Sequence, residues 1–285
     1  MSFADKLAQA LAAGTREHYE DAVLYDHEYK RRRDDIRWYQ KLAVEELGAP
    51  DVKKPQSILE LGCGSGRMLL PLARDGYRVV GVDAAPKMLA RCRERVEKTG
   101  KAVAARVELH EGDFREIALR QRFQLVICPF NAFMHLYRRE DVERFLAVVH
   151  AHLAPGGLFA FDVLNPHLGW LARDPHRRLA RTKFRHPTTG KAMIYSTSVT
   201  YDAALQIAFM RIYYQRESGG RERIVRLVHR QFFPLELQAL LHYNDFTVAA
   251  HHGGFSGGEL LPESEEQAIL CRSRREKSLS RRKKN

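Results

Sequence analysis

From Gln56 to Asn165, short apolar runs alternate with longer segments whose apolar residues recur at helical spacing. "SILELG", "YRVVGVD", "RVELHEGD", "FQLVICPF" and "GLFAFDVLN" read as strands. Between them, "RMLLPLARDG" predicts a helix stopped by Gly76, and "PKMLARCRERVEKTG" a helix with Pro86 in its first turn and Gly100 beyond its end. A third helix after "RRED" puts Val142, Phe145, Leu146, Val149 and Leu153 on one face and stops at "APGG". This repetition predicts an α/β, Rossmann-like, doubly wound and mostly parallel sheet over 56–180.

The rhythm changes near Lys191. "KAMIYSTSVTYD", "LQIAFMRIYYQRES" and "RERIVRLVHRQFF" are strand-like, with turn signals at Asp202 and at Ser218-Gly219-Gly220, and predict an antiparallel β-meander inserted over 181–233. The core then resumes over 234–271 with a helix, "PLELQALLHY", and two strands, "DFTVAAHH" and "EQAILCRS". Residues 1–55 read as a mostly helical N-terminal cap with Tyr19, Tyr25, Tyr29, Trp38 and Tyr39 along it, and 272–285 as a basic tail.

Composition narrows the class. Hydrophobic residues make up 45% of the 285, enough for a core, and no run approaches the roughly 18–20 apolar residues that cross a bilayer. The N-terminus has acidic residues within an amphipathic pattern and no apolar h-region, so it is not read as a signal peptide. Cys63, Cys92, Cys128 and Cys271 are far apart and read as reduced thiols of a cytoplasmic protein. Thirteen histidines never form H-E-x-x-H or a Cys-His array, so no metal site is expected. Of the net charge of +12, the last fourteen residues carry +7. That tail and the run Lys30–Arg33 are read as solvated charge, with nucleic-acid binding the less favoured reading.

"ILELGCGSGR" (58–67) is the segment with a chemical consequence, because three glycines directly after a strand let a ligand approach bare backbone. It lacks the lysine of a phosphate-binding P-loop. Gly62-x-Gly64-x-Gly66 is one residue short of the dinucleotide spacing. Asp83 ends the next strand, where a carboxylate can accept both hydroxyls of a ribose.

Glu60-Leu61-Gly62-Cys63-Gly64-Ser65-Gly66 resembles motif I of the class I S-adenosylmethionine (SAM)-dependent methyltransferases. The resemblance continues through "VVGVDAAPKML", "HEGDF", "FQLVICPFNAFMHL" and "HLAPGGLFAFDVLNP". It implies SAM as cofactor, with Glu60 and the glycines at motif I, Asp83 on the ribose, Met88 against the adenine, Asp113 accepting from the exocyclic amine and Phe114 beside the ring. Arg67 is a candidate partner for the SAM carboxylate, a solvated arginine being the alternative. Two departures stand out: Ala84 and Ala85 replace a capping serine common among relatives, and Cys128-Pro129-Phe130-Asn131 lacks the N/D-P-P-Y/F signature of base amino-methyltransferases.

Within the family the chain most resembles small-molecule N-methyltransferases of the amino-sugar and glycine/sarcosine type. The resemblance places His135 near an acceptor nitrogen and Tyr25-Asp26 in an N-terminal lid. His135 is thus the candidate proton-handling residue, Tyr25 the second catalytic candidate, and Asn131 a candidate for orienting the acceptor. The expectation is methyl transfer to a small molecule, an amine in preference to a hydroxyl. RNA or protein methylation and non-catalytic SAM binding are the alternatives, and the inserted sheet is a candidate homodimer contact.

Overall fold

The computed structural model describes residues 3–51 and 56–275. The chain forms two compact units, one from residues up to 31 together with 166–231, the other from 32–165 together with 232 onward. Helices α1 (Phe3–Arg16) and α2 (Ala22–Tyr29) open the first unit. The second supplies α3 (Asp34–Leu47), β1 (Ser57–Leu61), α4 (Leu69–Asp75), β2 (Arg78–Asp83), α5 (Pro86–Glu97) and the single turn α6 (Lys101–Ala104). It continues through β3 (Val107–Glu111), β4 (Phe123–Cys128), a 3-10 turn (Ala132–His135), α7 (Arg139–His152) and β5 (Leu153–Leu164). The first unit resumes with the turn α8 (Leu168–Leu171) and strands β6 (Leu179–Arg185), β7 (Ala192–Asp202), β8 (Ile207–Arg216) and β9 (Arg223–Arg230). Helix α9 (Pro234–Tyr243) and strands β10 (Phe246–His252) and β11 (Glu266–Ser273) complete the second.

In the second unit seven strands lie in the order β10-β11-β5-β4-β1-β2-β3, with β11 antiparallel to both neighbours and the pairings from β5 to β3 parallel. Strand order reverses between β1 and β4, the place outside the carboxyl ends where open α/β sheets bind ligands. Side-chain alternation divides the core. Leu59, Val80, Val126, Phe159 and Phe161 belong to one cluster, with Phe145 of α7 and Leu237 of α9. Ile58, Val79, Leu125, Leu158 and Ala160 belong to the other, with Tyr39 of α3 and Leu69 of α4. A strand buried on both faces needs apolar residues at every position, which is why these runs lack polar alternation.

The first unit is an antiparallel sheet, β6-β7-β8-β9, with α1 against β9. Asp202 builds the β7–β8 turn by accepting the N–H groups of Ala204 and Leu205, each at 3.0 Å. Asp21 caps α2 by accepting the Leu24 N–H at 3.0 Å.

Three features differ from expectation. β6 was not anticipated; it is an edge strand, mostly exposed, without an apolar stripe. Helix α7 ends at His152, and Ala154–Gly157 belong to β5. Arg272 and Ser273 of the predicted basic tail end β11, where Arg272 donates to Glu46 at 2.8 Å, while 276–285 lie outside the described residues. No described helix is long and apolar enough to cross a membrane.

Phe161 is fully buried, stacked 4.5 Å from Phe133 and 4.9 Å from Phe159. Phe161→Ala is expected to cost about 3–5 kcal/mol, read as a lower urea midpoint at unchanged slope. An unaltered midpoint would contradict this account of the core.

Candidate functional site

β1 delivers Glu60 and Leu61 into a turn that reaches α4, and the turn is bare backbone. Gly62 and Gly66 take φ of 83° and 78°. A Cβ on Gly62 would stand 2.8 Å from Cβ of Ala132, and one on Gly66 2.6 Å from Sγ of Cys92. Both contacts are too close for any side chain, so these positions need glycine for space as well as conformation.

Asp83, at the end of β2, closes this cradle. Its Oδ2 accepts the Gly64 N–H at 2.7 Å and its Oδ1 the Ala85 N–H at 2.8 Å. Helix α5 starts at Pro86 with no side-chain cap at Ala85, and the second bond holds the turn into the helix; the proline at its first position has no N–H to satisfy. Burial pushes the Asp83 carboxyl up, against the backbone N–H groups that favour its charge. The Ala84 N–H adds to these two, so the carboxylate, with about four acceptor sites, keeps room for a further donor.

Glu60 is almost wholly buried and its Oε2 has no hydrogen-bond partner among the described residues. Burial, with Asp83 nearby, raises its carboxyl well above the usual range, and Arg67 opposes that. A buried acceptor without a partner is costly unless a ligand completes it. Met88 on α5 is buried, its Cε 3.2 Å from where a Gly64 Cβ would stand.

Arg67 is engaged rather than solvated. It donates to Asp35 Oδ2 at 2.5 Å and Oδ1 at 2.8 Å, and to the Arg32 carbonyl at 2.8 Å. Its guanidinium lies 4.2 Å over the Phe130 ring. A SAM carboxylate would have to share this arginine with Asp35.

Asp113 follows β3 and is gripped by Arg115, whose Nε lies 2.9 Å from Oδ1, while Nη1 of Arg115 reaches Asp141 of α7 at 2.9 Å. Burial alone would raise the Asp113 carboxyl, but Arg115 and its N–H outweigh this and hold it below the usual range. The Phe114 ring is edge-on to Phe145 at 5.2 Å and approaches to 4.0 Å of the Gly62 Cβ position.

The loop after β4 forms the remaining wall, its Ala132 facing Gly62. His135 ends the 3-10 turn, half-buried, with Nδ1 3.0 Å from the Tyr137 hydroxyl. Asn131 is buried at φ 63°, and its Oδ1 has no hydrogen-bond partner among the described residues. Phe130, Asn131 and Asp162 also line a cavity of about 870 Å³ walled by Trp38 of α3 and Phe255.

Glu60, the three glycines, Arg67, Asp83, Met88, Asp113, Phe114 and His135 all belong to the second unit. Tyr25 belongs to the first, on α2, its ring 4.7 Å from Tyr29, 5.7 Å from Tyr19 and 5.5 Å from His18. Sequence reasoning missed Tyr137, Asp35 and the buried pair Tyr39–Asp162. The one available signal was an aspartate inside the apolar run "FAFDVLN".

Residues 58–157 match the family model of a methyltransferase domain. The ubiquinone biosynthesis O-methyltransferase of Paramagnetospirillum magneticum is 30% identical over 54% of this chain and 63% of its own. A dTDP-3-amino-3,6-dideoxy-alpha-D-glucopyranose N,N-dimethyltransferase of Streptomyces fradiae is 32% identical over 53% of this chain and 56% of its own. The chain thus spans somewhat over half the length of these curated relatives. Among solved structures, SAM-bound CalS10, an amino pentose methyltransferase from Micromonospora echinaspora, superposes with a TM-score of 0.64 at 22% identity, covering 88% of this chain and 96% of that one. The fold is that of the class I methyltransferases, and SAM is the cofactor that the domain and the cradle fit.

Asp83→Ala removes the acceptor that the sequence assigns to a ribose hydroxyl. One hydrogen bond to a charged group contributes about 1.5–3 kcal/mol, so SAM affinity measured by calorimetry should fall roughly ten- to a hundredfold. Unchanged affinity would contradict the placement of the ribose.

Proposed function

We propose that this protein, whose residues 58–157 match the family model of a methyltransferase domain, transfers a methyl group from SAM to a small molecule, an amine in preference to a hydroxyl. The observation that carries this reading is His135: a half-buried imidazole, hydrogen-bonded to Tyr137, on the loop that abuts the glycine cradle. SAM supplies an electrophilic methyl group on a sulfonium.

The protein's task is binding, alignment and proton handling. Asp83 would accept the ribose hydroxyls, and Glu60, unpartnered and buried, would meet the amino group of the methionine portion, whose charge would favour ionised Glu60. Arg67, already shared with Asp35, would reach the carboxylate. Asp113 and Phe114 would border the adenine, with Met88 across the ring. Holding an acceptor in line with the transferred group can account for on the order of 7–11 kcal/mol of barrier reduction.

An amine acceptor must shed a proton, and a histidine is the side chain whose ordinary pKa suits that exchange near neutral pH. Tyr137 fixes the ring that receives it. The cavity of about 870 Å³, within the roughly 300–1,000 Å³ of small-molecule sites, is lined by Asn131 but by neither His135 nor the glycine turn, so it supports this reading only through Asn131. The amino-sugar N,N-dimethyltransferase relative supports nitrogen as the acceptor atom, and the O-methyltransferase relative keeps a hydroxyl as the second reading.

Tyr25 remains a candidate on the first unit, as the aromatic residue next to Asp26 in the family-like pattern.

His135→Ala is expected to lower turnover about a hundredfold or more while SAM affinity stays within roughly twofold of wild type, measured by single-turnover methyl transfer and calorimetry. Turnover at the wild-type rate would remove His135 from the proton path. A product methylated on oxygen would replace the amine reading with the hydroxyl one.

A further inference from the structure

We propose that Asp162 is a positioning residue for methyl transfer: its carboxylate holds Phe130 and Asn131 in a left-handed turn and thereby places His135. Asp162 lies on β5 with 1% of its surface exposed, on the same face as Leu158 and Ala160, toward α3. Its Oδ1 accepts the Phe130 N–H at 2.8 Å and the Tyr39 hydroxyl at 2.8 Å, and its Oδ2 accepts the Asn131 N–H at 3.1 Å.

The clamp sits where the backbone needs one. Phe130 and Asn131 have φ of 58° and 63°, and neither is glycine. Two such residues in succession persist only where their surroundings over-determine them, and such strain clusters at functional sites. The conformation feeds directly into the turn that carries His135, because the Asn131 carbonyl accepts the Met134 N–H at 2.9 Å and the Phe133 carbonyl accepts the Leu136 N–H at 3.1 Å. Arg67 secures the Phe130 ring from the other side. Asp162 is not among the groups hydrogen-bonded to His135 Nδ1 and acts through the loop.

The groups facing the Asp162 carboxyl are Tyr39 and Asp35 of α3, Cys128 of β4 and the two loop N–H groups. Burial pushes its pKa up to about 6, against the bonds from Phe130, Tyr39 and Asn131 that favour the charge, with Asp35 adding to the rise. Protonation turns one acceptor site into a donor, so the clamp is complete above that pH and loosens below it. Removing the Tyr39 hydroxyl deletes a bond to the charged form and moves this transition to higher pH.

The inference rests on His135 being the proton acceptor, and the test separates the two claims. Asp162→Asn keeps the shape but sets an amide N–H against one of the three donors. It should speed hydrogen exchange of residues 129–136 and lower turnover, each by at least about tenfold, with SAM affinity near wild type. Unchanged loop exchange would overturn the proposal, and so would an equal rise throughout β1–β5, the mark of mere core loosening. Should Asp162→Asn not fold, Tyr39→Phe decides: the pH below which residues 129–136 lose protection from hydrogen exchange should move upward, and an unmoved transition overturns the proposal. If Asp162→Asn frees the loop while His135→Ala turns over normally, the clamp stands and the reading of His135 fails.

Discussion

Between Leu61 and Leu69 the backbone turns with Gly62, Gly64 and Gly66 all at positive φ, and the neighbours of Gly62 and Gly66 fill the space that side chains would need. The rest of the second unit depends on that closeness. It lets α5 come within contact of the turn through Cys92, lets Asp83 accept the Gly64 N–H, and lets Ala132 bring the loop after β4 against the same backbone. A ligand set on this turn is therefore met at once by the ends of β1, β2 and β4. The strand reversal between β1 and β4 opens the sheet at that point.

Two carboxylates, Asp162 buried and Asp83 half-buried, work beside the turn in opposite ways. Asp83 organises backbone N–H groups and keeps acceptor sites for a ligand, whereas Asp162 has its oxygens turned to Tyr39, Phe130 and Asn131. Arg67 links the two regions, paired with Asp35 and laid over Phe130. The site thus has one side built on short β–α connections and another whose conformation is held by side chains. Buried polar groups of this kind are costly alone and specify one geometry when satisfied together.

The strands and helices around the motif were legible because each is continuous in sequence and strongly patterned: "PLELQALLHY" is α9 from first to last residue. The glycine turn was legible because close backbone approach constrains residue type locally, and Asp83 because it ends the next strand beside that turn. β6 was not, since an exposed edge strand carries no apolar stripe to read. Nor was the Tyr39–Asp162 bond, which joins residues 123 apart. Arg67 was read as either a ligand partner or a solvated residue, and its buried partner Asp35 lies 32 positions earlier. Grouping residues up to 31 with 166–231 likewise depends on contacts that no local pattern announces.

The central claim is transfer of the SAM methyl group to a small-molecule amine. Its most direct test incubates the protein with methyl-labelled SAM and a cell extract, then separates small molecules, RNA and protein. The account predicts label in the small-molecule fraction, on a nitrogen identified by mass spectrometry. Label confined to RNA or protein, or no label in any fraction from a protein shown to bind SAM, would contradict it.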